Sequence, residues 1–389
     1  MLSVFEKGIV ELIKCALKGG VPQLDEGFDF EEAYQYAQDR QITPIIYYGA
    51  SNIPDFMDTM VGKKFFKSTM NLSFFSMEQG AAIDKITTAF KNNKIHHVKL
   101  KGTITRDMYP YPEMRLMSDA DILIKMEEYD KIKEIMLSTG AIEERESNHE
   151  IIWRYGEFSI ELHKLLIPSY NKDYYEYFGN GWRLATLKDE ETNECFMTPE
   201  DSFIYMLVHF AKHYRDSGIS VKHLTDFYVY TSKNPDLDFE YIEKELSKLM
   251  IADFWKNIKR TLEAWFDGAE WDEKSVFITK KVISSLTYGS SDNRTLARAI
   301  KASKTTKHVK LKKVMGLIFP TYFSMSQKYP VLKKVPVLLP IMWVVRWFEA
   351  IFNPSKIKNQ KRHIDMISEE SVGKYHDELN YVGLDFNFQ

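Results

Sequence analysis

Two aspartates one residue apart, Asp119 and Asp121, open the apolar run Ile122-Leu123-Ile124. On a strand, positions i and i+2 point to the same face. Two carboxylates held side by side repel each other. A hard divalent cation offsets that repulsion best, and Mg²⁺ typically takes one or two carboxylates plus substrate phosphates. A second polar set lies in Phe158 to His163, where Ser159, Glu161 and His163 alternate with Phe158, Ile160 and Leu162. Alternation puts the three polar residues on one face of a strand. The bland alternative for Glu161 is an exposed position on an edge hairpin. His163 would orient Glu161 or contact a substrate; a half-exposed strand histidine is the alternative.

The elements that must position these groups follow from periodicity. Ile95 to Leu100 reads as a short strand leading into Lys101-Gly102, then a loop with Tyr109, Pro110, Tyr111, Pro112 and Arg115, then Ser118. Upstream the chain is helical. Ser3 and Glu6 form a capping-box pattern before a helix that ends at Gly19-Gly20. Further helices are predicted from Phe30 to Asp39, from Thr43-Pro44, and from about Gly62 to Asn92. Downstream come a helix over Glu127 to Thr139 and strands Ile151 to Tyr155 and Phe158 to Leu162, joined by a turn at Gly156-Glu157. From Thr198-Pro199 onward the pattern is helical, over about 199–213, 239–250, 251–266 and from 274. A surface loop is expected at Gly289 to Asp292, before a helix from Thr295 to Ser303.

The phrase L-K-G … R-x-x-S-D-A-D-I-L-I, residues 100–124, resembles the bacterial uncharacterised nucleotidyltransferase family of the polymerase-beta-like superfamily. The helical phrase at 30–50 and the K-H-L-T-D phrase at 222–226 extend the resemblance. The spacer between Gly102 and Asp119 is longer than in minimal members of the superfamily. The resemblance implies an α+β fold: a small mixed-sheet nucleotidyltransferase core flanked by an N-terminal helical cap and a C-terminal all-helical domain. The expected division is 1–61, 62–190, 191–303 and 304–389. It also implies transfer of a nucleoside monophosphate from a nucleoside triphosphate, with pyrophosphate released, by a two-metal mechanism using Mg²⁺ or Mn²⁺. Asp119, Asp121 and Glu161 would be the catalytic residues and metal ligands, although the superfamily more often has Asp at the third position. Lys101, Gly102, Thr103, Arg115 and Ser118 would meet the nucleotide phosphates, Arg115 by a fork onto a β- or γ-phosphate or else in a salt bridge to a neighbouring carboxylate such as Glu113. His163, His209, His213 and Asp226 are candidate substrate contacts. For the last three, a hydrogen bond between packed helices is an equal alternative. His209 and His213 share a helix face, but two ligands do not make a zinc site.

The chain has 389 residues and a formal net charge of −3, with 52 Lys and Arg against 55 Asp and Glu. That balance does not advertise a nucleic-acid partner. Two cysteines, Cys15 and Cys195, form neither a metal pattern nor a disulfide framework, which suits a reducing cytoplasm. No signal-peptide pattern is read at Met1-Leu2-Ser3, so a cytoplasmic chain is expected, with peripheral contact at the inner membrane face as an added option. Residues 304–389 combine lysines with an apolar stretch, Val335 to Phe352, that is too short and interrupted to span a bilayer. A buried packing helix with a solvated basic face is the preferred reading; contact with a membrane surface is the other. Two alternatives to an enzyme stay open: a non-catalytic nucleotide-binding protein, and a peripheral membrane protein of envelope or polysaccharide assembly. No spacing selects among ATP, CTP, GTP and UTP, identifies the acceptor as a small molecule or a macromolecule, or gives the oligomeric state.

Overall fold

A computed structural model describes residues 1–216, 219–285, 295–297, 299–300, 308–351, 364–365 and 367–385. The loop expected at Gly289 to Asp292 and most of the basic run that includes Lys301, Lys304 and Lys307 lie outside the described residues. Two compact units are present: Met1–Lys212 with Ile219–Tyr288, and His213–Gly218 with Gly289–Gln389.

The first unit opens with helices α1 (Val4–Lys18), α2 (Phe30–Asp39), α3 (Thr43–Ala50) and α4 (Met60–Asn92). Ser3 accepts from the Glu6 amide while the Glu6 side chain accepts from the Ser3 amide, so the capping box forms as expected. Strand β1 (His97–Lys99) feeds the one-turn helix α5 (Gly102–Thr105), and β2 (Asp119–Ile124) follows the loop. Next come α6 (Tyr129–Thr139), β3 (Ile142–Glu146), β4 (Glu150–Tyr155), β5 (Phe158–His163), α7 (Lys172–Phe178), β6 (Ala185–Asp189) and β7 (Glu194–Met197). Helices α8 (Pro199–Asp216), α9 (Val221–Lys233), α10 (Phe239–Lys248), α11 (Ala252–Leu262) and α12 (Glu273–Ser284) complete the series. The expected α+β architecture is present.

The seven strands form one mixed sheet in the order β3-β4-β5-β2-β1-β7-β6. β2 runs parallel to β5, and β1 runs antiparallel to β2. β5 is therefore an interior strand, with β4 on its other side. One face of β2 carries Ala120, Ile122 and Ile124 into a buried core with Ile83, Ile86 and Phe90 of α4 and Ile132, Ile135 and Met136 of α6. Full burial of each such Ile contributes about 1.5–3 kcal/mol, so the register of β2 is strongly set. A slip of one residue would drive Asp119 and Asp121 into that core. The turn between β4 and β5 bends at Gly156, whose φ of +59° suits glycine.

In the second unit, helices Val309–Ile318 and Leu339–Ile351 are joined by shorter helical turns, and Glu369–Val382 follows. Sequence reading favoured a buried helix over 335–352. The structure corrects this: Ile341, Val344, Trp347 and Phe348 are exposed. No helix among the described residues is long and apolar enough to cross a membrane.

Candidate active site

Register builds the site. In the parallel β2–β5 pair, Asp119 faces Ser159 and Asp121 faces Glu161. Asp119, Asp121, Glu161 and His163 therefore share the sheet face opposite the α4–α6 core. Ligand atoms of Asp121, Glu161 and His163 lie within 4.8 Å of one another.

Asp121 is the centre. Lys101 Nζ and His163 Nε2 both reach its Oδ1 at 2.7 Å. Its backbone is pinned as well: the Asp121 amide donates to Thr103 Oγ1 at 3.2 Å, and the Leu100 amide donates to the Asp121 carbonyl at 3.0 Å. Lys101 sits at the strand-to-helix corner with φ +48°, a conformation uncommon for a residue with a side chain and found disproportionately at functional sites. Burial would raise the Asp121 carboxyl, but the Lys101 ammonium and the His163 hydrogen bond outweigh it and hold the group well below the usual range.

The other two carboxylates are only partly compensated: the Lys101 and Arg115 charges act on Asp119, and Lys101 on Glu161, without outweighing burial and like charge. Among the described residues, no hydrogen-bond donor reaches Asp119, and the nearest partner of Glu161 is His163 at 3.7 Å. Burial, then the Asp121 charge, pushes Asp119 up to about 6. Burial, then Asp119 and Asp121, pushes Glu161 up to about 8. Burial and the Lys101 charge lower His163; with the Asp121 carboxylate oxygen as acceptor, Nε2 is the ring nitrogen that donates. To act as a ligand through Nε2, the ring would move that proton to Nδ1, which faces the Leu165 carbonyl at 3.4 Å.

Three carboxylates against the Lys101 ammonium and the Arg115 guanidinium leave an excess of negative charge on this face of the sheet. The atoms that converge are carboxylate oxygens of Asp121 and Glu161 and a ring nitrogen of His163, a donor set that suits a divalent cation.

The loop residues fall into place around this centre. A Cβ on Gly102 would meet Met117 Sδ at 3.1 Å and Arg115 Nη2 at 3.4 Å, so glycine allows this close packing. Arg115 pairs with Asp226 on α9, Nε lying 2.7 and 3.0 Å from the two carboxylate oxygens. Its Nη1 donates to the Leu116 carbonyl at 2.9 Å, which leaves Nη2, beside Gly102, as the nitrogen without a protein acceptor among the described residues. Glu113, the salt-bridge partner considered from sequence, instead accepts from Tyr48 and Ser73. Asp226 also takes hydrogen bonds from Tyr109 at 2.8 Å and Thr105 at 3.3 Å. Ser118 is exposed directly before Asp119, and His209 and His213 are half-buried on α8, outside the three-residue ligand cluster.

Two groups were missed from sequence. Glu150 pairs in register with His163 across β4–β5 and is ion-paired to His149 at 2.8 Å. Counting back from the Gly156-Glu157 turn would have found it. Lys222 is buried, donates to the Leu116 carbonyl at 3.2 Å, and is pushed down to about 7 by burial and then by Arg115. Nothing local in the sequence marks it.

The family model described as uncharacterised nucleotidyltransferase matches residues 26–267. The chain belongs to this family. The matched span runs from α2 to the end of the turn after α11 and contains every residue of the carboxylate cluster. No curated protein and no solved structure matches the chain. The nucleotidyltransferase domain implies a nucleoside triphosphate substrate, and the carboxylate and histidine cluster lies inside it.

Proposed function

We propose that this nucleotidyltransferase moves a nucleoside monophosphate from a nucleoside triphosphate to an acceptor oxygen, with Asp119, Asp121 and Glu161 holding two divalent cations. The observation that carries this reading is the gathering of Asp119, Asp121 and Glu161 on one face of β2 and β5, with the Lys101 ammonium bonded to Asp121. Bound Mg²⁺ or Mn²⁺ would neutralise phosphate charge and acidify the acceptor hydroxyl.

The chain's own groups supply the rest. The acceptor oxygen forms a bond to the α-phosphorus as the bond from that phosphorus to the bridging oxygen of the β-phosphate breaks, releasing pyrophosphate. The acceptor proton passes to a Glu161 carboxylate oxygen, beside Asp121 on the same sheet face. Arg115 Nη2, held by the Asp226 pair, and Lys101 face the departing phosphates, where preorganised positive charge lowers the barrier most. The Thr103 hydroxyl, engaged on the Asp121 backbone, fixes the corner that presents both.

The test is pyrophosphate release from each of ATP, CTP, GTP and UTP, with Mg²⁺, Mn²⁺ or chelator, alongside candidate acceptors. Release that requires the metal and fails in Asp119→Asn supports the proposal. Equal release by Asp119→Asn excludes it.

A further inference from the structure

The second unit carries an apolar surface that nothing in the nucleotidyltransferase chemistry uses. Residues 309–351 hold seven Lys or Arg and one Glu, in a chain whose overall charge is −3. That Glu349 is ion-paired to Lys328. The same stretch exposes Leu311 (63%), Val337 (79%), Ile341 (59%) and Phe348 (61%). Isolated exposed leucines need no explanation, but a run of large apolar side chains on one small unit does.

The backbone around this surface is prepared for a dry environment. The last carbonyls of a helix have no partner within it. In the helix Val309–Ile318 three of the last four are covered: the Phe319 amide donates to the Met315 carbonyl, Arg346 Nη1 to Leu317 at 2.7 Å, and Trp347 Nε1 to Ile318 at 2.8 Å. Trp343 Nε1 covers the Pro320 carbonyl at 2.9 Å. Phe319 packs edge-on against both indoles. The hairpin end therefore exposes Ile318 and Phe319 while indole and guanidinium donors hold the Leu317, Ile318 and Pro320 carbonyls, which lowers the cost of entering an apolar layer. Lys310, Lys333 and Lys334 are exposed nearby. At about 1.5 Å per residue, the 13-residue helix Leu339–Ile351 is about 20 Å long, short of the ~30 Å hydrocarbon core.

We infer that this hairpin is a monotopic docking surface for an anionic lipid bilayer, with the apolar side chains in the headgroup–acyl boundary and the lysines against anionic headgroups. Charge of one sign decides the occupant. Apolar burial together with attraction to anionic lipid is the pattern of interfacial helices. The inference is independent of the nucleotidyltransferase reading, because the surface lies outside the matched family span.

The experiment is co-sedimentation of the full chain with phosphatidylcholine vesicles and with vesicles containing one-third phosphatidylglycerol. Ile341→Glu/Phe348→Glu and Lys333→Glu/Lys334→Glu are compared with wild type, and oligomeric state is measured by light scattering. All four positions are exposed, so the variants should melt with wild type. Wild type should bind the anionic vesicles roughly tenfold or more tightly than the neutral ones, and each variant should lose roughly tenfold or more. Failure of wild type to bind anionic vesicles would overturn the inference, as would unchanged binding by both variants. So would a wild-type dimer that Ile341→Glu/Phe348→Glu dissociates without any vesicle binding, since a second copy would then cover the surface.

Discussion

Asp226 and Asp119 are both carboxylates largely withdrawn from water in the same unit, yet their surroundings are opposite. Asp226 takes both oxygens' worth of Arg115 Nε and further bonds from Tyr109 and Thr105. Asp119 has no donor among the described residues and lies beside Asp121 and Glu161. A saturated carboxylate is part of the scaffold, since breaking it leaves a buried charge unpaired. A bare one beside like charges costs stability and persists where function uses it. On the proposed function, the contrast separates the residues that hold the site from those that act in it.

Three substitutions and a control would break or sharpen this contrast. Asp119→Asn should lower nucleotidyl transfer by about 10²–10³-fold, the scale of losing one preorganised electrostatic group. Stability should hold or rise, because a repelling charge is removed; pyrophosphate release and urea unfolding measure the two effects. Asp226→Ala should do the reverse in stability. It strands the Arg115 guanidinium and should cost about 3–5 kcal/mol in urea unfolding. If Asp226→Ala melted with wild type, the distinction between the two carboxylates would fail.

Glu161→Gln should show a pH signature in metal-free protein. The folded chain holds the Glu161 proton up to about 8, whereas the ordinary value is 4.5. The folded state therefore binds more protons than the unfolded state between those limits, so this group's contribution to stability falls as pH rises through them. Glutamine removes that loss. The variant should match wild type near pH 4 and exceed it increasingly as pH rises toward 8 and above, read as a pH series of unfolding curves. A constant difference across pH would sink the claim that Glu161 is held against like charge. The smallest effect is expected at the exposed Lys64–Glu31 pair, where Lys64→Ala should change stability by less than about 0.5 kcal/mol.

Alternation made much of the site legible. Period-two patterning over Asp119–Ile124 and Phe158–His163 is local, and strands β2 and β5 form where it predicts them. Pairing was less visible. That Asp121 lies opposite Glu161 is a parallel register between strands separated by α6 and a hairpin, and no short-range signal encodes it. The Arg115–Asp226 pair joins residues 111 apart in sequence, so Arg115 was read for phosphate or for Glu113 without its actual partner. Strand β3, Ile-Glu-Glu-Arg-Glu, is a charged edge strand whose composition hides it, as edges resist pairing by such charges. The helix Leu339–Ile351 misled in the other direction. A helix apolar on nearly all sides ordinarily reads as buried, and only coordinates show that its apolar side chains face outward.

The most direct measurement is a thermal-shift titration with ATP, CTP, GTP and UTP, each with and without Mg²⁺, on wild type and Asp119→Ala/Asp121→Ala. Ligand that binds the native state raises its melting temperature by mass action. The account predicts a shift that needs both metal and at least one triphosphate and disappears in the double variant. No shift with any triphosphate, or a shift that the double variant retains, would contradict a metal-dependent nucleotidyltransferase site on this face of the sheet.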